Sequence, residues 1–147
     1  MPLRRDIDLD YDDELRRLEQ EKKDLSPAKK KKGWYGVDLD GTLAYYAGWN
    51  PQIGKPIPKM LKRVKKWLAE GKEVRIFTAR ISRFPGTTDE HVENTRKMIE
   101  EWCITHLGQK LQVTNVKEHD LIELWDDRAV QVVKNTGRRV KFLKKRR

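Results

Sequence analysis

The chain has 147 residues, of which 33 are Lys or Arg and 23 are Asp or Glu, giving a formal net charge of +10 at pH 7. At 37% hydrophobic and 38% charged it can bury one compact core beneath a heavily ionic surface, and a single cysteine excludes an internal disulfide. No apolar stretch has the length needed to span a bilayer and no signal-peptide pattern opens the chain, so a cytoplasmic protein with one domain and an appended arm is expected.

Residues 1–32 read as that arm. Tyr11, Leu15, Leu18 and Leu25 fall at helical spacing among Glu and Arg, Ser26-Pro27 breaks the pattern, and a lysine run fills 29–32. The narrow stripe could dock on the domain, pair with a second copy, or recruit a protein partner. A helix this charged is marginal on its own.

The domain, residues 33–147, opens with Val37-Asp38-Leu39-Asp40-Gly41-Thr42. Side chains alternate faces along a strand, so Asp38 and Asp40 can converge on one ligand at the strand's carboxyl end, and Gly41 lets the backbone turn close to it. A carboxylate can attack phosphorus, and a second carboxyl group can protonate the leaving oxygen and later take a proton from water. Such crowding of negative charge around a phosphate calls for a hard cation, hence Mg²⁺. The plainer alternative is that these aspartates make local hydrogen bonds at a strand end.

Pro58 opens a predicted helix in which Met60, Leu61, Val64, Trp67 and Leu68 share one face, with Gly71 at the C-terminal cap. A second apolar run, Val74-Arg75-Ile76-Phe77-Thr78-Ala79-Arg80, ends in a hydroxyl and a guanidinium. Thr87 with Glu90 can form a capping box for the next helix, whose stripe is Val92, Ile99, Trp102, Cys103 and Leu107, ending at Gly108. Cys103 reads as a packed core thiol. Leu121-Ile122-Glu123-Leu124-Trp125 then runs into Asp126-Asp127-Arg128, with Lys117 upstream. A short helix over 129–136, ended by Gly137, and a last strand over 140–143 complete the expectation. His91, His106 and His119 have no metal-ligand spacing.

The alternation β-α-β-α-β predicts an α/β fold, a three-layer α/β/α sandwich with a mainly parallel sheet. Open sheets of this kind bind ligands at the carboxyl ends of their strands, where these polar groups gather.

This ordered set of motifs resembles the haloacid dehalogenase superfamily of phosphohydrolases, over roughly residues 34–143. Asp38 and Asp40 match its D-x-D-G-T motif, Thr78 its second motif, Lys117 its third, and Asp126-Asp127 its acidic fourth. The resemblance implies Asp38 as nucleophile and Mg²⁺ ligand, and Asp40 as general acid/base that binds Mg²⁺ through its carbonyl. It implies that Thr78 and Lys117 hold the phosphoryl group, that Asp127 completes the metal shell, and that Asp126 holds Lys117 or a metal-bound water. Gly41, Thr42, Ala79, Arg80 and Arg128 would lie against phosphate or substrate.

The spans from Thr42 to Pro58 and from Arg80 to Lys117 leave no room for a large cap domain; that layout, with Asp126-Asp127-Arg128 followed by Gln131-Val132-Val133 and Lys117-Glu118 upstream, is similar to small capless phage and bacterial members, including the 3′-phosphatase domain of phage polynucleotide kinase. Tyr45, Tyr46 and Trp49 lie in the flap, either as substrate contacts or as packing. Basic clusters at 29–32, along Lys62, Arg63, Lys65 and Lys66, and at 144–147 attract polyanions or are solvated tethers. No zinc-finger, recognition-helix or RNA-recognition signature is present, nor a kinase G-x-x-x-x-G-K-[ST]. The resemblance therefore implies a Mg²⁺-dependent phosphomonoester hydrolase working through an aspartyl phosphate, on a nucleotide or nucleic-acid terminal phosphate. A sugar-phosphate or other metabolite phosphatase stays open, as does a basic nucleic-acid-binding protein without turnover.

Overall fold

The computed structural model describes residues 13–17, 19–20 and 33–141. Within the arm, 13–17 and 19–20 are helical and exposed. The rest of its stripe, Tyr11, Leu18 and Leu25, lies outside the described residues, as do the basic runs at 29–32 and 144–147.

The domain runs β1 (Trp34–Val37), α1 (Pro58–Ala69), β2 (Glu73–Phe77), a 3-10 turn (Ala79–Ile81), α2 (Asp89–Leu107), β3 (Gln112–Thr114) and β4 (Leu121–Trp125). The four strands form one sheet in the order β3-β2-β1-β4, and all pairings are parallel. The expected α/β class with a parallel sheet is therefore what the chain adopts. β1 is central, and all of its residues are buried, as a strand flanked on both edges requires.

Alternation along the strands sorts the faces. Tyr35 pairs in register with Val74, and Val37 with Ile76, which in turn pairs with Val113. These side chains share one face, and they form one core with Met60, Val64 and Trp67 of α1 and Val92, Ile99, Trp102, Cys103 and Leu107 of α2. Both helices thus lie on the same face. That placement follows from two right-handed crossovers that step in one direction, from β1 to β2 to β3. On the opposite face, Arg75 lies over the ring of Trp34 at 4.5 Å and Trp34 stacks on Phe77 at 6.4 Å.

Helix ends follow their local chemistry. Pro58 sits at the first turn of α1 with no side-chain cap, and Gly71 takes a φ of 79° just past the helix, the left-handed conformation that glycine adopts without strain. In α2 the cap is Thr88, whose hydroxyl accepts from the His91 N–H at 3.1 Å. The expected box on Thr87 and Glu90 shifts by one residue, because the Thr87 hydroxyl accepts from the Phe84 N–H instead. Asp89 and Glu90 occupy the first turn of α2, where they complement the helix dipole.

Three elements differ from expectation. Gln112–Thr114 is a strand that the sequence pattern did not signal, since its three residues are too short for alternation to register. The helix expected over 129–136 does not form. Val132 bridges Arg139 in antiparallel fashion, and the Val133 N–H donates to the Arg138 carbonyl at 2.7 Å. Val130, Val132 and Val133 disfavour helix through their branched carbons, and Asn135 at φ 64° with Gly137 at φ 70° turns the chain back. No strand forms at 140–141, and 142–147 lie outside the described residues. No helix among the described residues is long and apolar enough to cross a membrane.

Candidate functional site

β1 and β4 are neighbours in the sheet, and the ladder continues one step past β1, where the Asp38 N–H donates to the Trp125 carbonyl at 2.8 Å. That bond sets Asp38 beside Asp126 and Asp127 at the carboxyl end of the sheet. One carboxylate oxygen from each of the three lies within 4.8 Å of the others, a spacing that a single hard cation with oxygen ligands can span. Thr42 knits the cluster together. Its hydroxyl lies 3.2 Å from Asp38 Oδ2 and 3.4 Å from Asp127 Oδ1, and it accepts from the Asp127 N–H at 3.1 Å. Asp126 Oδ1 accepts from the Arg128 N–H at 2.7 Å, which fixes the turn after β4.

Gly41 makes the close approach possible. Its φ is +89°, and a Cβ there would sit 2.6 Å from Asp127 Oδ2. Gly41→Ala is accordingly expected to push Asp127 out of the cluster and weaken Mg²⁺ binding at least tenfold while leaving the helical circular-dichroism signal unchanged. Titration calorimetry with Mg²⁺ checks this.

The electrostatics agree with a site short of positive charge. Burial, the charge of Asp126 and the hydrogen bond with Asp127 raise the Asp38 carboxyl to about 7. No described ion pair ends on Asp38, Asp126 or Asp127. A divalent ion would supply the missing charge, and the donor set of three carboxylates suits Mg²⁺.

Asp40 is elsewhere engaged. Arg80 donates to its Oδ2 from Nε at 2.6 Å and to its Oδ1 from Nη2 at 2.8 Å, a two-pronged pair. Arg80 also reaches the Pro51 carbonyl at 3.1 Å and lies 5.1 Å from the centre of the Trp49 ring, so it ties the end of β2 to the flap. The flap is a loop closed at its base by bonds between Tyr45 and Lys55 and between Ile57 and Leu43. Asp40, Arg80, Tyr45, Tyr46 and Trp49 line a cavity of about 300 Å³. The three aromatic rings are exposed, which leaves them available for contact.

Thr78 is buried, and its hydroxyl accepts from the Arg80 N–H at 3.1 Å, capping the 3-10 turn that begins at Ala79. Lys117 is exposed and enters none of the described ion pairs, while its neighbour Glu118 pairs with Arg75. The side chain of Arg128 is exposed, and its backbone N–H is the group that bonds to the cluster. The geometry therefore gathers Asp38, Gly41, Thr42, Asp126 and Asp127 in one group and Asp40, Arg80, Tyr45 and Trp49 in another. Lys117 joins neither. Cys103 is buried, and burial pushes its thiol up to about 11, as a core cysteine should behave.

The class defined so far is an α/β domain with a carboxylate cluster at the end of a parallel sheet. Among family models, the chain is similar to the BofC C-terminal domain over residues 23–74, roughly a third of its length. No curated protein matches. A solved structure described as a conserved protein from Bacteroides thetaiotaomicron is similar over 65% of this chain and 76% of its own, at 22% identity and a TM-score of 0.44.

The family-model finding overturns the assignment to the haloacid dehalogenase superfamily, and with it phosphomonoester hydrolysis, the hydrolase class and the aspartyl-phosphate intermediate. The matched segment contains Asp38 and Asp40, the residues on which that resemblance chiefly rested. Geometry gives the physical reason the motif misleads. Both carboxylate oxygens of Asp40 are taken up by the Arg80 guanidinium, and the lysine expected beside the acids enters no described ion pair with them.

Proposed function

We propose that this chain is a divalent-cation-dependent binding domain, in which Asp38, Asp126 and Asp127 hold Mg²⁺ and the ion in turn holds a phosphorylated ligand without turning it over. The observation that carries this reading is the cluster itself: carboxylate oxygens within 4.8 Å of one another with no described cationic side chain paired to them. Like charges so close repel, and the repulsion is relieved by a proton or by a metal ion. Its position supports a ligand site, since open parallel sheets bind at the carboxyl ends of their strands. The ion would keep coordination positions open toward solvent, as Mg²⁺ held by a few carboxylates does, and phosphate oxygens suit those positions.

The test is calorimetric titration of Mg²⁺, followed by inorganic phosphate added to Mg²⁺-loaded and to EDTA-treated protein. One Mg²⁺ per chain is expected, with phosphate heat only in the loaded sample. Absence of Mg²⁺ binding, or phosphate binding of equal strength in EDTA, overturns the proposal.

A further inference from the structure

A second concave surface lies away from the carboxylates, between α1 and the edge strand β4. It encloses about 550 Å³, with Lys59, Lys62, Arg63 and Lys66 on its helical wall. Those positions recur at three- and four-residue spacing, so they form one stripe along the helix. The adjacent stripe, Met60, Val64 and Trp67, is the one buried in the core. α1 contains no acidic residue, and its lysines repel one another at these spacings. Lys59 adds to the cost by standing in the first turn, at the positive end of the helix dipole.

The floor of the groove is aromatic: Tyr35 and Trp67 line it from the buried core, and Trp125 is the half-buried ring that a base can reach. Tyr35 stacks on Trp67 at 5.1 Å, and Trp67 meets Trp125 edge-on at 5.3 Å. Arg63 lies 4.5 Å from the centre of the Trp125 ring and Lys72 lies 5.3 Å from that of Tyr35. The acids on the rim are already committed. Glu70 pairs with Lys72 at 3.2 Å, and Glu123 accepts from the Trp125 indole at 2.9 Å. Lys59, Lys62 and Lys66 therefore face the groove with no described carboxylate partner. A merely solvated basic helix face needs neither a concavity nor aromatic rings beneath it.

We propose that this groove binds single-stranded nucleic acid. The stripe from Lys59 to Lys66 covers about 10 Å of helix at 1.5 Å per residue, enough to meet about three successive phosphates of one strand. Aromatic rings interleaved with cations are the sequence-tolerant recognition surface for unpaired bases, since each base has a π face and each nucleotide one charge. A duplex would offer its phosphates but keep its bases from the floor. The proposal is independent of the cation site, because it uses none of the clustered aspartates.

Fluorescence anisotropy with a labelled twelve-nucleotide oligothymidylate, run on the full chain in EDTA across a salt series, tests it. Affinity should fall with salt with a logarithmic slope of roughly −2, from about 0.7 per neutralised phosphate. Lys62→Glu with Lys66→Glu should weaken binding at least tenfold and flatten the slope by about 1.4, while Lys97→Glu with Lys134→Glu, equal in charge change but on other surfaces, should alter affinity less than twofold. Trp125→Leu should cost about fivefold or more through lost stacking. Because both lysines are exposed, the double variant should fold, and its unchanged circular dichroism and thermal melt would verify that. Equal loss in the two double variants overturns the proposal. So does tighter binding of a duplex, or displacement of the oligonucleotide by polyglutamate at equal charge concentration, which would mark the groove as a generic acidic-polymer site.

Discussion

Asp126→Asn is expected to make the cation-free protein more stable and, at the same time, to abolish its stabilisation by Mg²⁺. The Asp126 charge is, after burial, the largest influence raising the Asp38 carboxyl to about 7. Removing one negative charge relieves that repulsion whatever the ligand. Asparagine keeps the side-chain oxygen that accepts from the Arg128 N–H at 2.7 Å, so the turn after β4 is preserved. The gain, discounted because the cluster is open to solvent, is roughly 1 kcal/mol, or about 3–5 °C in Tm for a domain of this size.

The pH dependence follows with a definite sign. A carboxyl raised from 3.8 to about 7 in the folded state binds more protons there than in the unfolded chain between those values. Its contribution to stability is full below about pH 4 and is lost as pH rises through 7. Saturating Mg²⁺ should flatten that decline in the unmutated protein, because the ion replaces the proton as the source of relief. Thermal melts from pH 5 to 8, with Mg²⁺ and with EDTA, give all four curves. A variant that melts lower than the parent in EDTA, or that still gains from Mg²⁺, would remove Asp126 from the site.

The parts of this arrangement that the sequence discloses are those set by local chemistry. Asp38 and Asp40 follow a short apolar run and a glycine follows them, which is enough to place carboxylates at a strand end. Trp125 before Asp126 does the same for β4. Pro58, Gly71 and Gly108 mark helix limits through constraints on their own backbone angles. What stays hidden depends on pairing at a distance. β3 is three residues long and is defined by its register with Arg75, Ile76 and Phe77. The segment after Arg128 shows helical spacing of apolar residues, yet a bridge between Val132 and Arg139 decides it.

The site divides in the same way. Asp38, Asp126 and Asp127 are legible as a cluster once two parallel strands are assumed to be neighbours. The commitment of Arg80 to Asp40 is invisible in a sequence where they stand 40 positions apart. The D-x-D-G-T pentapeptide does not hold its two aspartates together, since i and i+2 alternation holds within a strand and Asp40 lies in the turn beyond β1. The aromatic floor of the groove was hidden for a related reason. Trp67 reads as core from its spacing, and it is buried. That its ring also meets Trp125 depends on β4 lying beside β1.

Arg80→Ala is expected to destabilise the domain by about 2–4 kcal/mol, the range for breaking one side of a largely buried ion pair, lowered somewhat because Asp40 keeps partial access to water. The Arg80 side chain is 5% exposed and that of Asp40 is 20% exposed. Three bonds and the Trp49 ring contact are lost together. Arg80→Lys should recover only part of the loss, since an ammonium restores charge but not the fork that spans both carboxylate oxygens. Asp40→Asn in the parent should cost less, because an amide can still accept from the guanidinium. Combining it with Arg80→Ala should cost less than the sum, with a coupling of about 1–3 kcal/mol. Urea melts of the four proteins measure this. Strict additivity would mean that the guanidinium acts through Pro51 and Trp49 alone, making Arg80 a fastener of the flap and leaving Asp40 free to meet a ligand.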